Sequence, residues 1–225
     1  MNLATPFSLV FVVTAFAAAP VWAAEEVRTV PAFKAVEFSG IGRMEVTAGQ
    51  DQSVTLLANK KTLERIVTEV EDGTLRIKWE SDRERHSWLW RFVMPDDHDG
   101  EKVTVRITAP TLNKVGVAGA AEVEAKNIEG EQIAFSVSGA AKIRANGKAD
   151  KLTLSISGAG DADLDHLEAK DAVVSIAGVG KAEVYSTGTL NATIAGAGEI
   201  RYEGEPHVTS SISGAGSVRA RGSRK

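Results

Sequence analysis

The feature that most constrains this chain is a short glycine pattern that keeps returning. The stretch "SISGAGDADL" at 155–164 reappears as "GVAGAAEVEA", "SVSGAAKIRA", "SIAGVGKAEV", "TIAGAGEIRY" and "SISGAGSVRA". Aligned on the first glycine, the copies sit at Gly119, Gly139, Gly158, Gly178, Gly196 and Gly214, spaced 20, 19, 20, 18 and 18 residues apart. An outlying copy, "EFSGIGRMEV", sits at Gly40. Self-similarity at such a period predicts units that bury their apolar faces only against their neighbours. The expected fold is therefore all-β, a single-chain, right-handed parallel β-solenoid with coils of about 18–20 residues.

Strand side chains alternate faces, so each copy can be divided into two sets. Ile156, Gly158, Gly160, Ala162 and Leu164 share one face, and the equivalent residues of the other copies are again apolar or glycine. This face is expected to point inward. The glycines in its middle imply either that a neighbouring wall passes close by or that the strand turns a corner that needs a glycine dihedral. The outward face divides in turn. Ser138, Ala140, Ser157, Ala159, Ala177, Val179, Ala195 and Ala197 form a small-residue strip suited to close approach of a second copy, hence a possible homo-oligomer. Beyond it, Glu122 and Glu124, Lys142 and Arg144, then Asp161 and Asp163 form a charged strip whose sign changes from copy to copy. Pairing across adjacent strands is expected there.

Upstream of the regular copies, "SVTLLA", "VTEVEDGTLRIKW" and "KVTVRITAP" read as strands, with Asp72-Gly73 a hairpin signal. "NKKTLERI" is the one plausible short helix. The N-terminus carries an apolar run from Ser8 to Ala19, too short for a membrane span, followed by "VWA". It reads as a signal peptide over 1–23, cleaved after Ala23, though its n-region lacks Lys and Arg. The remainder, 24–225, is one domain: an N-terminal part over 24–114, regular glycine-rich copies over 115–220 and a basic tail over 221–225. The chain has no cysteine, so burial and backbone pairing must stabilise it alone. A net charge of −4 argues against a nucleic-acid partner.

The residues resemble the DUF2807 family, the auto-transporter adhesin head GIN domain. The likeness rests on "VEFSGIGRMEV", "SVTLLANKKTLERIVTEVEDGTLRIKW", "VTVRITAPTLNKVGVAGAAEV" and the Ser-Gly-Ala-Gly copies that follow, in that order. It implies a secreted or envelope β-solenoid with no established enzyme activity and no family catalytic residues to carry over. The stretch from Ser87 to Met94 matches no motif of the family.

Motifs with chemistry-bearing residues are weak. "SGAGDADL" lacks the nine-residue period of calcium-binding β-rolls, with Ala162 where that motif has Asp. "GVGKAE" lacks the spacing and the Lys-Ser/Thr pair of a phosphate loop. His86, His98, His166 and His207 are scattered without metal-ligand spacing, and "PDDHDG" reads as a solvated turn. Neither catalytic residues nor a cofactor or metal site is expected. The surviving candidates are Trp88, Trp90, Phe92 and Arg91, with Arg83 and Arg85 nearby, forming either a cap on one end of the fold or a contact site. The sequence points to an exported binding or structural module of the periplasm or cell surface, adhesin-like, with a protein or glycan ligand. The alternative is a polysaccharide-binding or polysaccharide-processing protein.

Overall fold

A computed structural model describes residues 24–79 and 102–221 of the chain. Its elements are β1 (Ala24–Val27), β2 (Ala35–Ala48), β3 (Ser53–Ala58), α1 (Lys60–Arg65), β4 (Ile66–Glu71), β5 (Thr74–Trp79), β6 (Val103–Ala109), β7 (Lys114–Glu203) and β8 (His207–Ala220). The 90 residues of β7 are continuous β-structure that bends at its glycines rather than one straight strand.

The upstream elements form where their residues direct. Asn59 caps α1, its side-chain oxygen accepting from the Thr62 amide at 2.8 Å. Asp72 and Gly73 both take positive φ, 50° and 70°, as a two-residue primed turn requires, and β4 folds back on β5 with Glu71 opposite Thr74. One edge of β2 carries β5 beside its first half and β6 beside its second, both parallel to it. The opposite edge pairs with β7 in parallel, Gly40 directly against Gly119. The outlying glycine copy therefore lies on the first regular one.

These pairings correct the expected fold class. The sheet runs β1-β3-β6-β2-β5-β4, with β7 on β2 and β8 on β7, and the pairs β1/β3, β3/β6 and β4/β5 are antiparallel. The protein is all-β, but it is a curled half-barrel of mixed strands and not a right-handed parallel β-solenoid. The glycine period reports only the register of glycine on glycine. It carries no information about the antiparallel strands, whose short alternating segments have no period of their own.

The inward parity holds. Ile156, Ala162 and Leu164 are buried, as are Ile176, Ala182 and Val184. The glycines between them answer both readings of their role. The first glycine of every regular copy has φ between 125° and 141°, and a Cβ on Gly158 would lie 2.3 Å from the Gly139 carbonyl oxygen. The corner and the close approach are one feature. At the first copy, Trp79 lies over Gly40, where a Cβ would come within 2.2 Å of the indole nitrogen.

Candidate functional site

The glycine bends separate two outward surfaces of opposite character. Three residues before each stacked glycine comes Glu37, then Gly116, then a run of hydroxyls: Ser136, Ser155, Ser175, Thr193 and Ser211. The intervening residues Val137, Ile156, Ile176 and Ile194 are buried, so the hydroxyls stand outward on an anchored strand. One residue before the glycines, Ser39, Ser138, Ser157 and Ser213 continue the surface among alanines. Glu37 and Ser136 close in over Gly116, where an added Cβ would lie 3.1 Å from the Ser136 hydroxyl oxygen, and beside them the face has an open notch of about 360 Å³. Glu37, Ser39, Ser136, Ser138, Ser155 and Ser157 line it. Among the described residues none of these serine hydroxyls finds a hydrogen-bond partner. Glu37 is fixed by Lys114, whose Nζ donates to Oε1 at 2.7 Å, and by Arg76. The Lys114 hydrogen bond, helped by the Arg76 charge, holds its carboxyl below the usual glutamate value.

Beyond the bends the surface is ionic. Glu122 sits between Arg43 at 2.7 Å and Arg144 at 3.0 Å, so of the expected sign-alternating strip one pair forms, and diagonally, while Glu124 pairs with Lys126 instead. Further along, Asp163, Asp165 and Glu183 bring carboxylate oxygens within 4.8 Å of one another. Arg221 reaches into this group, with Nη1 at 2.6 Å from both Asp165 and Glu183 and Nε at 3.4 Å from Glu203. Lys181 also contacts Glu183, and His166 contacts Asp165. Burial raises the Asp163 carboxyl, reinforced by the hydrogen bond its protonated form donates to Asp165 and by the charges of Asp165 and Glu183. Glu183 is lowered, chiefly by Lys181 and then by the charges of Arg221 and Arg201. A cavity of about 210 Å³, lined by Glu124, Arg144, Asn146, Asp163 and His166, opens beside the group. Three carboxylates at this separation have the donor set of a hard-cation site. The Arg221 guanidinium already supplies positive charge there.

Trp88, Trp90, Phe92 and Arg91, with Arg83 and Arg85, lie outside the described residues. In sequence the stretch falls between β5 and β6. Sequence reasoning found the small-residue strip but missed the hydroxyl row beside it. Its signal was present in "FSVSG", "LSISG", "VSIAG", "ATIAG" and "SSISG", each with a hydroxyl three residues ahead of the glycine. It missed the carboxylate cluster because Asp163, Glu183 and Arg221 meet only through the stacking register, with a tail residue closing the group.

The family model described as "Putative auto-transporter adhesin, head GIN domain", DUF2807, matches residues 32–206. The chain belongs to this family. Membership agrees with an exported or surface protein, and among the described residues no helix is long and apolar enough to cross a membrane. Among solved structures the chain is similar to an adhesin from Bacteroides fragilis NCTC 9343 at 20% identity, covering 90% of this chain and 98% of that one, with a TM-score of 0.66. It is also similar to a structure from Parabacteroides distasonis ATCC 8503 titled as a lipid binding protein, at 18% identity, 89% and 97% coverage and a TM-score of 0.49. An adhesin from Parabacteroides merdae ATCC 43184 matches at 16% identity, 89% and 97% coverage and a TM-score of 0.49. No curated protein matches the chain.

Proposed function

We infer that the chain is an exported, adhesin-like binding module of the cell envelope or surface that acts without catalysis. The observation that carries this reading is the hydroxyl face, whose notch is open to solvent and whose serine hydroxyls there have no partner among the described residues. Surface hydroxyls held in register on an anchored sheet cost little to order when a ligand arrives. Family membership supports the same class of role. Fluorescently labelled protein should bind intact cells or washed envelopes of a bacterial panel, saturably. Ser138→Arg with Ser157→Arg, which fills the notch, should weaken that binding at least tenfold. Saturable binding that the filled notch leaves unchanged, or an absence of binding throughout the panel, refutes the reading.

A second reading, a polysaccharide-processing protein, draws on Asp163 and Glu183, whose carboxyls are pushed in opposite directions beside a cavity. Arg221 and Lys181 hold Glu183 in ion pairs and leave it poorly placed to serve as base or nucleophile. Release of reducing ends from a neutral polysaccharide, abolished by Asp163→Asn, would favour this second reading over the first.

A further inference from the structure

We propose that the hydroxyl face binds an uncharged, extended polysaccharide laid across the strands, with the notch at Glu37 and Gly116 holding one sugar. The proposal rests on the binding-module reading and names the ligand class of the same surface.

The stacking register sets out the face. In the copies from Gly139 to Gly214, the positions five, three and one residues before each glycine make fifteen outward sites in three rows. Ten carry Ser or Thr, the others are Ala, Val or Asn, and none is charged. In a chain with 25% charged residues this is a deliberate exclusion, sharpened by the ionic surface just across the bends.

Charge decides against several ligands. A phosphate-bearing or uronic-acid polymer needs Lys or Arg free to pair with it; the fifteen sites offer none, and at the notch, beside the Gly40 and Gly119 copies, Lys114 and Arg76 are already paired with Glu37. A protein partner is normally anchored by aromatic, Met or Arg side chains, which these sites also lack. A polyol suits the face because a Ser or Thr hydroxyl both donates and accepts, as a sugar hydroxyl does. Glu37 adds a carboxylate acceptor at the notch, fixed in place by Lys114 and Arg76.

Geometry then selects a polymer. Adjacent strands lie about 4.8 Å apart, so Ser136, Ser155, Ser175, Thr193 and Ser211 make a straight ladder of hydroxyls at that interval. A β-linked glycan in extended form advances by close to one such interval per sugar with alternate sugars turned over, so every second sugar meets the ladder in the same orientation. With no aromatic platform, each contact is weak, and affinity must accumulate along the chain.

The test is affinity electrophoresis of the full chain through gels containing soluble mixed-linkage β-glucan, polygalacturonate or no polymer, with calorimetry on a neutral β-linked hexasaccharide and disaccharide. Retardation is expected in β-glucan alone, and the hexasaccharide should bind at least tenfold more tightly than the disaccharide. Ser155→Arg with Thr193→Arg should remove the retardation. The milder pair Ser155→Ala with Thr193→Ala should weaken it severalfold with an unchanged thermal melt, which separates lost contacts from lost folding. Lys142→Ala, across the bends, should be retarded by β-glucan as strongly as wild type when each is compared with its own mobility without polymer. Unretarded wild type, retardation in polygalacturonate, equal affinity for the two oligosaccharides, or retardation that survives both ladder variants overturns the proposal. If cell-envelope binding persists when this experiment fails, the binding-module reading stands and only the ligand class falls.

Discussion

At the scale of single residues, Gly158 shows how little freedom the bends leave. Its φ of 137° disfavours any L side chain, and an added Cβ would strike the Gly139 carbonyl at 2.3 Å. Gly158→Ala should therefore cost about 3 kcal/mol or more, combining dihedral strain with displacement of a neighbouring strand. Gly130→Ala, where nothing lies within 4 Å of the added carbon, should stay within about 0.5 kcal/mol in the same denaturant titration. Equal costs at the two positions would remove the backbone argument. Asp163 gives a prediction of the opposite sign. Because its folded-state carboxyl is raised above the ordinary 3.8, its charged form opposes folding at neutral pH, and the penalty is relieved as pH falls through the raised value. Asp163→Asn should raise Tm by about 1–3 °C at pH 7. That gain should shrink steadily toward pH 4. Glu37 and Glu183 behave in reverse: both are lowered, so their stabilisation is present above 4.5 and lost as pH falls through their folded values.

Among the elements, β8 depends most on one side chain. It pairs with β7 along its whole length from Thr189/His207 to Tyr202/Ala220, and among the described residues no strand covers its other edge. Arg221, just past its end, ties it to Asp165, Glu183 and Glu203, residues that follow the glycine bends of three earlier copies. Arg221→Gln should speed hydrogen exchange selectively in β8 and the last part of β7, and high salt should have the same effect on wild type. Uniform exchange in both proteins would show that the arginine does not hold the edge. The upstream strands, α1 and the Asp72-Gly73 hairpin were legible because each has a local chemical cause: alternation, an Asn cap, a primed turn. Their order in the sheet was not, since β5 and β6 share one edge of β2 through contacts distant in sequence. For the stretch holding Trp88 and Trp90, replacement of both by Ala distinguishes its two readings. A cap loses several kcal/mol of stability, whereas a contact site loses binding and keeps its melt.

For the molecule as a whole, the glycine period made the register legible and the architecture misleading. The inward face, the bends and the alternating ionic strip could all be read from one repeating motif. The mixed, half-barrel sheet could not, because its antiparallel strands lie outside that motif. The bends also expose Ile41 at 48% and Val179 at 63%, both one residue past a stacked glycine. We propose that this strip mediates self-association, as its small neighbours Ala159, Ala177 and Ala197 would allow. Sedimentation should show a mass above that of one chain, and Ala159→Arg with Ala177→Arg should return it to the monomer. An unchanged mass in the variant excludes the strip as the interface.

The edge at β8 has a mechanical consequence. A polymer lying across the strands and pulled from one end would load the sheet in peel, breaking backbone pairs one strand at a time instead of shearing many together. Peeling starts where a strand has one neighbour, and at the end of the glycine-rich copies, among the described residues, that strand is β8. By reaching back to Asp165, Glu183 and Glu203, Arg221 makes the first strand's release require several charge contacts to fail at once. The force that this tether withstands is then set by the Arg221 contacts and should fall as salt concentration rises.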